Sequence, residues 1–148
     1  MADAPRIDIY EARYPFPGVM TAGQPTPAQM KAAVEAGYRL LINLRGHGEV
    51  DVDEAPGRAE SLGATYVHIP VDGPSGVTLE NARRLAAALA DADARPAMVY
   101  CGSSNRVGAL FALKARFLDG ASVDEALEQG RAAGLLGLEG YVRQLLQG

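Results

Sequence analysis

Short apolar runs alternate with amphipathic segments along the chain. The runs Leu40–Leu44, Thr65–Ile69 and Ala97–Tyr100 have the length and residue types of buried strands. Two shorter pieces near the start, Ile7–Tyr10 and Val19–Ala22, also have β-like character. The pattern therefore predicts several short strands distributed along the whole chain.

Helices are predicted where apolar positions recur every three or four residues between capping signals. Thr26 opens a capping box with Gln29, and Ser122 opens another with Glu125. The predicted helices cover about 27–37, 54–62, 78–90, 107–118, 122–134 and 138–146. Strands that alternate with helices predict an α/β fold with a central, mostly parallel sheet flanked by helices on both faces. We expect one domain over residues 1–148.

Composition narrows the classes of protein. The chain has a formal charge of −4, 48% hydrophobic and 22% charged residues, which is ordinary for a soluble domain and argues against nucleic-acid binding. It has no apolar run of membrane-spanning length, and its first residues lack the pattern of a signal peptide. Its single cysteine cannot form an internal disulfide, so we expect a cytoplasmic location. The oligomeric state is not predicted.

Three polar loops leave predicted strands in the same direction. They are Arg45–Glu49, Pro70–Val77 and Cys101–Arg106. In a parallel sheet the carboxyl ends of the strands meet at one edge, where ligands bind. We therefore expect charged and reactive residues from distant parts of the chain to converge there.

The loop after the third buried run has the chemistry of an anion-binding active site. It begins with the nucleophile Cys101, ends with Arg106, and precedes a predicted helix. A helix N-terminus, converging amides and a guanidinium stabilise a thiolate, and the same groups bind an oxyanion. The predicted substrate-binding residues in this loop are Gly102, Ser103, Ser104 and Asn105.

Other polar residues at the same edge are weaker candidates. Asp72 lies 29 residues before Cys101 and is placed either to protonate a leaving oxygen or to serve as a turn residue. Arg45 is a candidate substrate-binding residue, whereas His47 is expected to be solvated and His68 structural. The two histidines are far apart in the sequence and lack nearby cysteine or paired carboxylates, so no metal site is predicted.

The order of motifs resembles one bacterial family. Thr21–Pro25, Leu41–Arg45 with Glu49, Ile69–Asp72 and Cys101–Gly108 follow the motifs of the phosphatase-like domain of β-lactamase-hydrolase-like proteins. This family is a branch of the dual-specificity protein tyrosine phosphatase superfamily, and the resemblance runs from about Tyr14 to Leu146. It implies a cysteine-phosphatase fold without cofactor or metal, and a phosphorylated small molecule or protein as substrate.

The resemblance also implies roles for three residues. Cys101 takes the role of the nucleophile, Arg106 that of the arginine that binds the transferred group, and Asp72 that of the general acid. The loop departs from the usual pattern because four residues, not five, separate its cysteine from its arginine. Tyr100, Ser104 and Val107 stand where a histidine, a glycine and a hydroxyl residue are usual, so Ser103 or Ser104 would have to ease departure of the thiolate.

The short loop leaves two alternatives open. A four-residue spacing is familiar from rhodanese-type sulfurtransferases, in which a cysteine persulfide carries sulfur from a sulfane-sulfur donor to a thiol acceptor. A persulfide adds one atom to the cysteine and needs a smaller cradle than a phosphoryl group. The other alternative is an inactive module that binds phosphorylated or sulfated partners.

Overall fold

A five-stranded sheet organises the computed structural model, which describes residues 4–49, 51–91 and 95–147. The strands in chain order are β1 (Arg13–Phe16), β2 (Val19–Ala22), β3 (Leu40–Arg45), β4 (Thr65–Val71) and β5 (Ala97–Tyr100). Their order in the sheet is β1-β2-β5-β3-β4. Only β1 runs antiparallel to its neighbour, and the other three pairings are parallel. The predicted mostly parallel sheet is confirmed.

Helices cover both faces of this sheet, as predicted. They are α1 (Pro27–Ala36), α2 (Ala55–Leu62), α3 (Leu79–Leu89), α4 (Asn105–Leu113), α5 (Val123–Ala133) and α6 (Glu139–Gln147). Helices α1 and α2 contribute to the smaller apolar cluster on one face, and α3 to α6 to the larger cluster on the other. Within the described residues, no helix is both long and apolar enough to cross a membrane.

Two helices begin as the sequence predicts. The Thr26 and Ser122 side chains each accept a hydrogen bond from the backbone amide three residues later. The side chains of Gln29 and Glu125 in turn accept a hydrogen bond from the backbone amide of the capping residue. Both capping boxes satisfy amides that a helix leaves unpaired, and they fix where α1 and α5 begin.

Several elements differ from the prediction. Ile7–Tyr10 forms no strand, because its Ile7 amide and carbonyl both bond to the Tyr14 hydroxyl, at 2.7 and 3.2 Å. Strand β4 continues through Pro70 to Val71, which an edge strand permits because it need not donate every amide. The helix predicted from residue 107 begins at 105, and its last turn, Lys114–Leu118, is a π-helix.

Candidate active site

The loop after β5 lies at the carboxyl edge of the central strand. Cys101 is fully buried, and its amide donates to the Ala22 carbonyl at 3.3 Å. The Gln24 amide donates to the Gly102 carbonyl at 3.2 Å, and Ser103 forms an isolated antiparallel bridge with Gly23. The segment that follows β2 therefore holds the first half of the cysteine loop in place.

The cysteine loop presents unpaired backbone donors along its length. Among the described residues, the amides of Gly102, Ser103, Asn105 and Arg106 have no hydrogen-bond acceptor, and the first helical bond of α4 runs from Gly108 to Ser104. Unpaired amides at a helix N-terminus attract anions. The loop therefore has the chemistry of an anion site beside Cys101.

Ser104 makes this turn with φ at 70°, in the left-handed region that favours glycine. This backbone conformation gives a physical reason for the glycine that is usual at its position. Its hydroxyl donates to the Glu11 carbonyl at 3.4 Å. Of the two hydroxyls expected to ease thiolate departure, the one on Ser104 is thus engaged elsewhere, while Ser103 is exposed.

Asn105 uses its side chain to anchor the loop. Its Oδ1 accepts hydrogen bonds from the Leu136 amide at 2.9 Å and from the Leu138 amide at 3.3 Å. These amides belong to the connection between α5 and α6. This side-chain oxygen ties the loop to its neighbour, while the backbone amide stays available to an anion, so substrate binding by Asn105 stays a prediction.

Arg106 is held between three groups. Its Nη1 donates to Glu49 Oε2 at 2.7 Å and to the Val71 carbonyl at 2.8 Å, and its Nη2 donates to Glu49 Oε1 at 2.9 Å. The pKa of Arg106 is raised, chiefly by the hydrogen bond to Glu49 and further by the charge of Cys101. Its Nη2 lies against Gly102, the residue that follows Cys101 in the loop.

Glu49 is the site residue that sequence reasoning missed. It lies in the mixed-charge loop expected at this edge, but only Arg45 of that loop was predicted to bind substrate. The hydrogen bond from Arg106 is the largest cause that lowers the pKa of Glu49 to about 2. A half-buried arginine needs a partner of opposite charge. This requirement was the available signal that a carboxylate in one of the converging loops, such as Glu49, pairs with Arg106.

Arg45 forms the other side of the anion site. Its Nη1 donates to Gln24 Oε1 at 3.0 Å, and its Nε lies 3.1 Å from Glu49 Oε1, although this N–H bond does not point at the oxygen. A Cβ atom on Gly102 would lie 3.3 Å from Arg106 Nη2 and 3.7 Å from Arg45 Nη1. Two guanidinium groups therefore border Gly102.

Asp72 follows β4 and is exposed. Its carboxylate packs directly against the backbone of Gly46, because a Cβ atom there would lie 1.6 Å from Asp72 Oδ1 and 3.0 Å from Glu49 Oε2. Asp72 therefore lies at the same edge as Glu49 and Arg106. The convergence of the three predicted loops is confirmed.

The two histidines are neighbours in the fold despite their separation in sequence. Their ring centroids lie 5.2 Å apart in an edge-to-face arrangement, and His68 Nε2–H donates to the Arg45 carbonyl at 2.6 Å. His68 thus has the structural role expected of it, and His47 is exposed as expected. In the described part of the chain, no three His, Cys, Asp or Glu side chains are arranged to hold a metal ion.

Together, the central parallel strand, the buried cysteine and the arginine at the start of a helix define a cysteine-phosphatase type of α/β domain. Residues 12–117 match the family described as Beta-lactamase hydrolase-like protein, phosphatase-like domain, and the chain belongs to this family. No curated protein sequence matches the chain.

Solved structures from several organisms share the fold. A phosphatase-designated protein from Neisseria meningitidis z2491 is 22% identical, with a TM-score of 0.73 over 90% of this chain and 94% of that one. The catalytic domain of the PP-IP phosphatase SIW14 from S. cerevisiae is 13% identical, with a TM-score of 0.70 over 97% and 87%. TpbA from P. aeruginosa, solved with pTyr, is 16% identical, with a TM-score of 0.60 over 99% and 97%.

Proposed function

We propose that this phosphatase-family protein hydrolyses phosphomonoesters through a phosphocysteine intermediate on Cys101. The observation that carries the proposal is the position of Arg106, whose guanidinium lies against Gly102, next to Cys101 in the loop, and is oriented by Glu49. A fixed guanidinium next to a thiol stabilises both the thiolate and the oxygens of a transferred phosphoryl group. Relatives of the same fold described with pTyr and as a PP-IP phosphatase support a phosphorylated substrate.

In the first step, the Cys101 thiolate attacks phosphorus. A sulfur–phosphorus bond forms, the phosphorus–oxygen bond to the leaving group breaks, and Asp72 gives its proton to the leaving oxygen. The free amides of the loop and Arg106 bind the equatorial oxygens, where negative charge is concentrated. Arg45 adds a second positive charge at the rim.

In the second step, water attacks phosphorus and gives a proton to the Asp72 carboxylate. The sulfur–phosphorus bond breaks, inorganic phosphate leaves, and Cys101 returns to the thiolate. No step uses a metal or a cofactor. Asp72 suits both proton transfers because its carboxylate is exposed to solvent and lies at the same edge of the sheet as Glu49 and Arg106.

Neither the family nor the fold comparisons support the sulfur-transfer alternative that the short loop suggested. The loop already offers four unpaired amides and two guanidinium groups around Gly102. A cradle with that many donors matches three phosphoryl oxygens better than a single added sulfur. Phosphoryl transfer is therefore the function we propose.

Hydrolysis of p-nitrophenyl phosphate tests the proposal. We expect turnover by the wild type, none by Cys101→Ser, and kcat lowered roughly 10²-fold to 10³-fold by Asp72→Asn. Thiosulfate with cyanide as acceptor serves as the parallel assay. Sulfur transfer without phosphatase activity would replace the proposal with the sulfurtransferase alternative, and tight phosphate binding without either activity would indicate a binding module.

A further inference from the structure

A cavity of about 130 Å³ adjoins the outer side of the cysteine loop. Ser103 and Asn105 form one wall, the segment from Tyr10 to Arg13 forms another, and Leu136 contributes to the third. Two consecutive residues of chain span at most about 7 Å, so Ser103 brings this wall within about that distance of the Cys101 backbone. A substrate bound at Cys101 can therefore extend a group into the cavity.

Large apolar side chains around this cavity are exposed to solvent. Leu136 is 80% exposed and Tyr10 is 61% exposed, the two highest values among the large apolar residues that the structure describes as exposed. The cysteine loop fixes Leu136, whose amide donates to Asn105 Oδ1, and the segment after β2 fixes Tyr10, whose carbonyl accepts from the Gly23 amide at 2.8 Å. Apolar surface kept in water beside an active site is typical of a surface that a ligand covers.

The charges of the cavity favour an uncharged group. Its one cationic side chain, Arg13, is paired with Glu11 at 3.0 Å. A polyanionic extension, such as further phosphates, would meet no uncommitted cation among the lining residues. An apolar group would cover Leu136 and Tyr10 without losing a charge partner.

The Nδ2 group of Asn105 is a hydrogen-bond donor that remains available in the cavity. Asn105 Oδ1 accepts two amides, whereas its Nδ2 has no hydrogen-bond partner among the described residues. The position of a Cβ on Gly137 lies 3.6 Å from this nitrogen, so Nδ2 is directed along the cavity wall. A backbone carbonyl of a peptide is the kind of acceptor that would satisfy it while an adjacent side chain fills the cavity.

The volume of the cavity limits the size of the side chain that can fill it. A cavity of about 150 Å³ accommodates a benzene molecule, so 130 Å³ fits a group of leucine or smaller aromatic size. We infer, resting on the proposed phosphatase function, that this cavity is a specificity subsite for a phosphorylated peptide segment. An apolar residue next to the phosphorylated one occupies the cavity between Tyr10 and Leu136.

Matched phosphopeptides test this inference. The reference is a phosphotyrosine flanked by glycines, and the test peptides carry one leucine immediately before or immediately after the phosphotyrosine. We expect kcat/KM to rise about fivefold to tenfold for one of the two leucine peptides, mainly through KM, from burial of the leucine. Leu136→Ala should remove most of that preference, and Leu136→Asp should remove all of it.

Leu118→Ala is the control variant, because Leu118 is also exposed but lies roughly 18 Å along the helix from Arg106. It should keep both the preference and the turnover of p-nitrophenyl phosphate. Equal kcat/KM for all peptides, a preference that survives Leu136→Asp, or faster turnover of a phosphorylated inositol than of any peptide would each overturn the inference alone, provided p-nitrophenyl phosphate is hydrolysed. No hydrolysis of any substrate would overturn the proposed function, and this inference with it.

Discussion

Glu49 accepts hydrogen bonds from Arg106 through both carboxylate oxygens, with Oε2 2.7 Å from Nη1 and Oε1 2.9 Å from Nη2. The two residues lie 57 positions apart in the sequence. This two-point contact fixes the plane of the guanidinium, because a fork of two parallel hydrogen bonds permits little rotation. The direction in which Arg106 can offer its remaining donors is thereby set before any anion arrives.

We predict that Glu49→Gln lowers kcat/KM for p-nitrophenyl phosphate by at least about tenfold, because an amide cannot accept both guanidinium bonds. Glu139→Gln is the matched control, since Glu139 forms the same two-oxygen contact with Arg131 on the surface, at 2.6 and 2.9 Å. Steady-state kinetics of the two variants provide the measurement. Equal effects of the two substitutions would show that Glu49 does not orient Arg106 for catalysis.

The lowered pKa of Glu49 predicts how stability depends on pH. Folding lowers this pKa from 4.5 to about 2, so the ionised Glu49 stabilises the folded state above pH 4.5 and loses that effect as the pH falls toward 2. The difference in unfolding free energy between wild type and Glu49→Gln should be constant above about pH 5.5 and shrink below pH 4.5. Urea denaturation at several pH values measures it, and a difference that grows on acidification would contradict the assignment.

Gly46 is predicted to be required for the position of Asp72. In Gly46→Ala the new methyl group would overlap Asp72 Oδ1, so the carboxylate must move. Because this side chain is exposed, we expect stability to change by less than about 1 kcal/mol. The kcat for an alkyl phosphate should fall at least about tenfold, and that for p-nitrophenyl phosphate should fall less, because a poor leaving group depends more on protonation.

Two further variants test this explanation. Gly57→Ala should leave both substrates unaffected, because nothing lies within 4 Å of a Cβ at that helical position. A double variant of Gly46→Ala and Asp72→Asn should be no slower than Asp72→Asn alone, since both changes remove the same proton donor. Additive losses would mean that Gly46 acts on another part of the site.

Ser104→Gly is predicted to raise the unfolding free energy by up to about 1 kcal/mol, because glycine adopts a φ of 70° without the steric cost that serine bears. The lost hydrogen bond to Glu11 is long, at 3.4 Å, and offsets only part of the gain. Ser103→Gly is the control and should lower stability, since Ser103 is not among the described residues with positive φ. Chemical denaturation compares the two, and a larger loss for Ser104→Gly would contradict the prediction.

Much of the fold and part of the site followed from local sequence patterns. Buried runs and capping residues predicted strands β2 to β5 and the ends of α1 and α5, because these signals act within a few residues. The convergence of three loops followed from the rule that parallel strands end at one edge. Cys101 and Arg106 were chosen as candidates because their loop contains both a nucleophile and a cation next to a helix, and their roles stay predictions.

Local sequence patterns could not predict contacts between residues that lie far apart in the sequence. The role of Glu49 depends on where a loop places its carboxylate relative to Arg106, and no local periodicity encodes that distance. The absence of a strand at Ile7–Tyr10 depends on a tyrosine hydroxyl seven residues away from Ile7. Asn105 was assigned to substrate because of its position in the loop, and its bonds to Leu136 and Leu138 arise only in the folded chain.

The order of strands in the sheet has a consequence for synthesis of the protein. Strand β5 is the last of the five along the chain, yet it lies between β2 and β3 at the centre of the sheet. A nascent chain that has not yet exposed Tyr100 therefore has no strand to join its two halves, and its inner edges stay unpaired. The candidate nucleophile Cys101 and closure of the sheet arrive with the same stretch of polypeptide, so a partly synthesised chain has neither a finished core nor a complete candidate site.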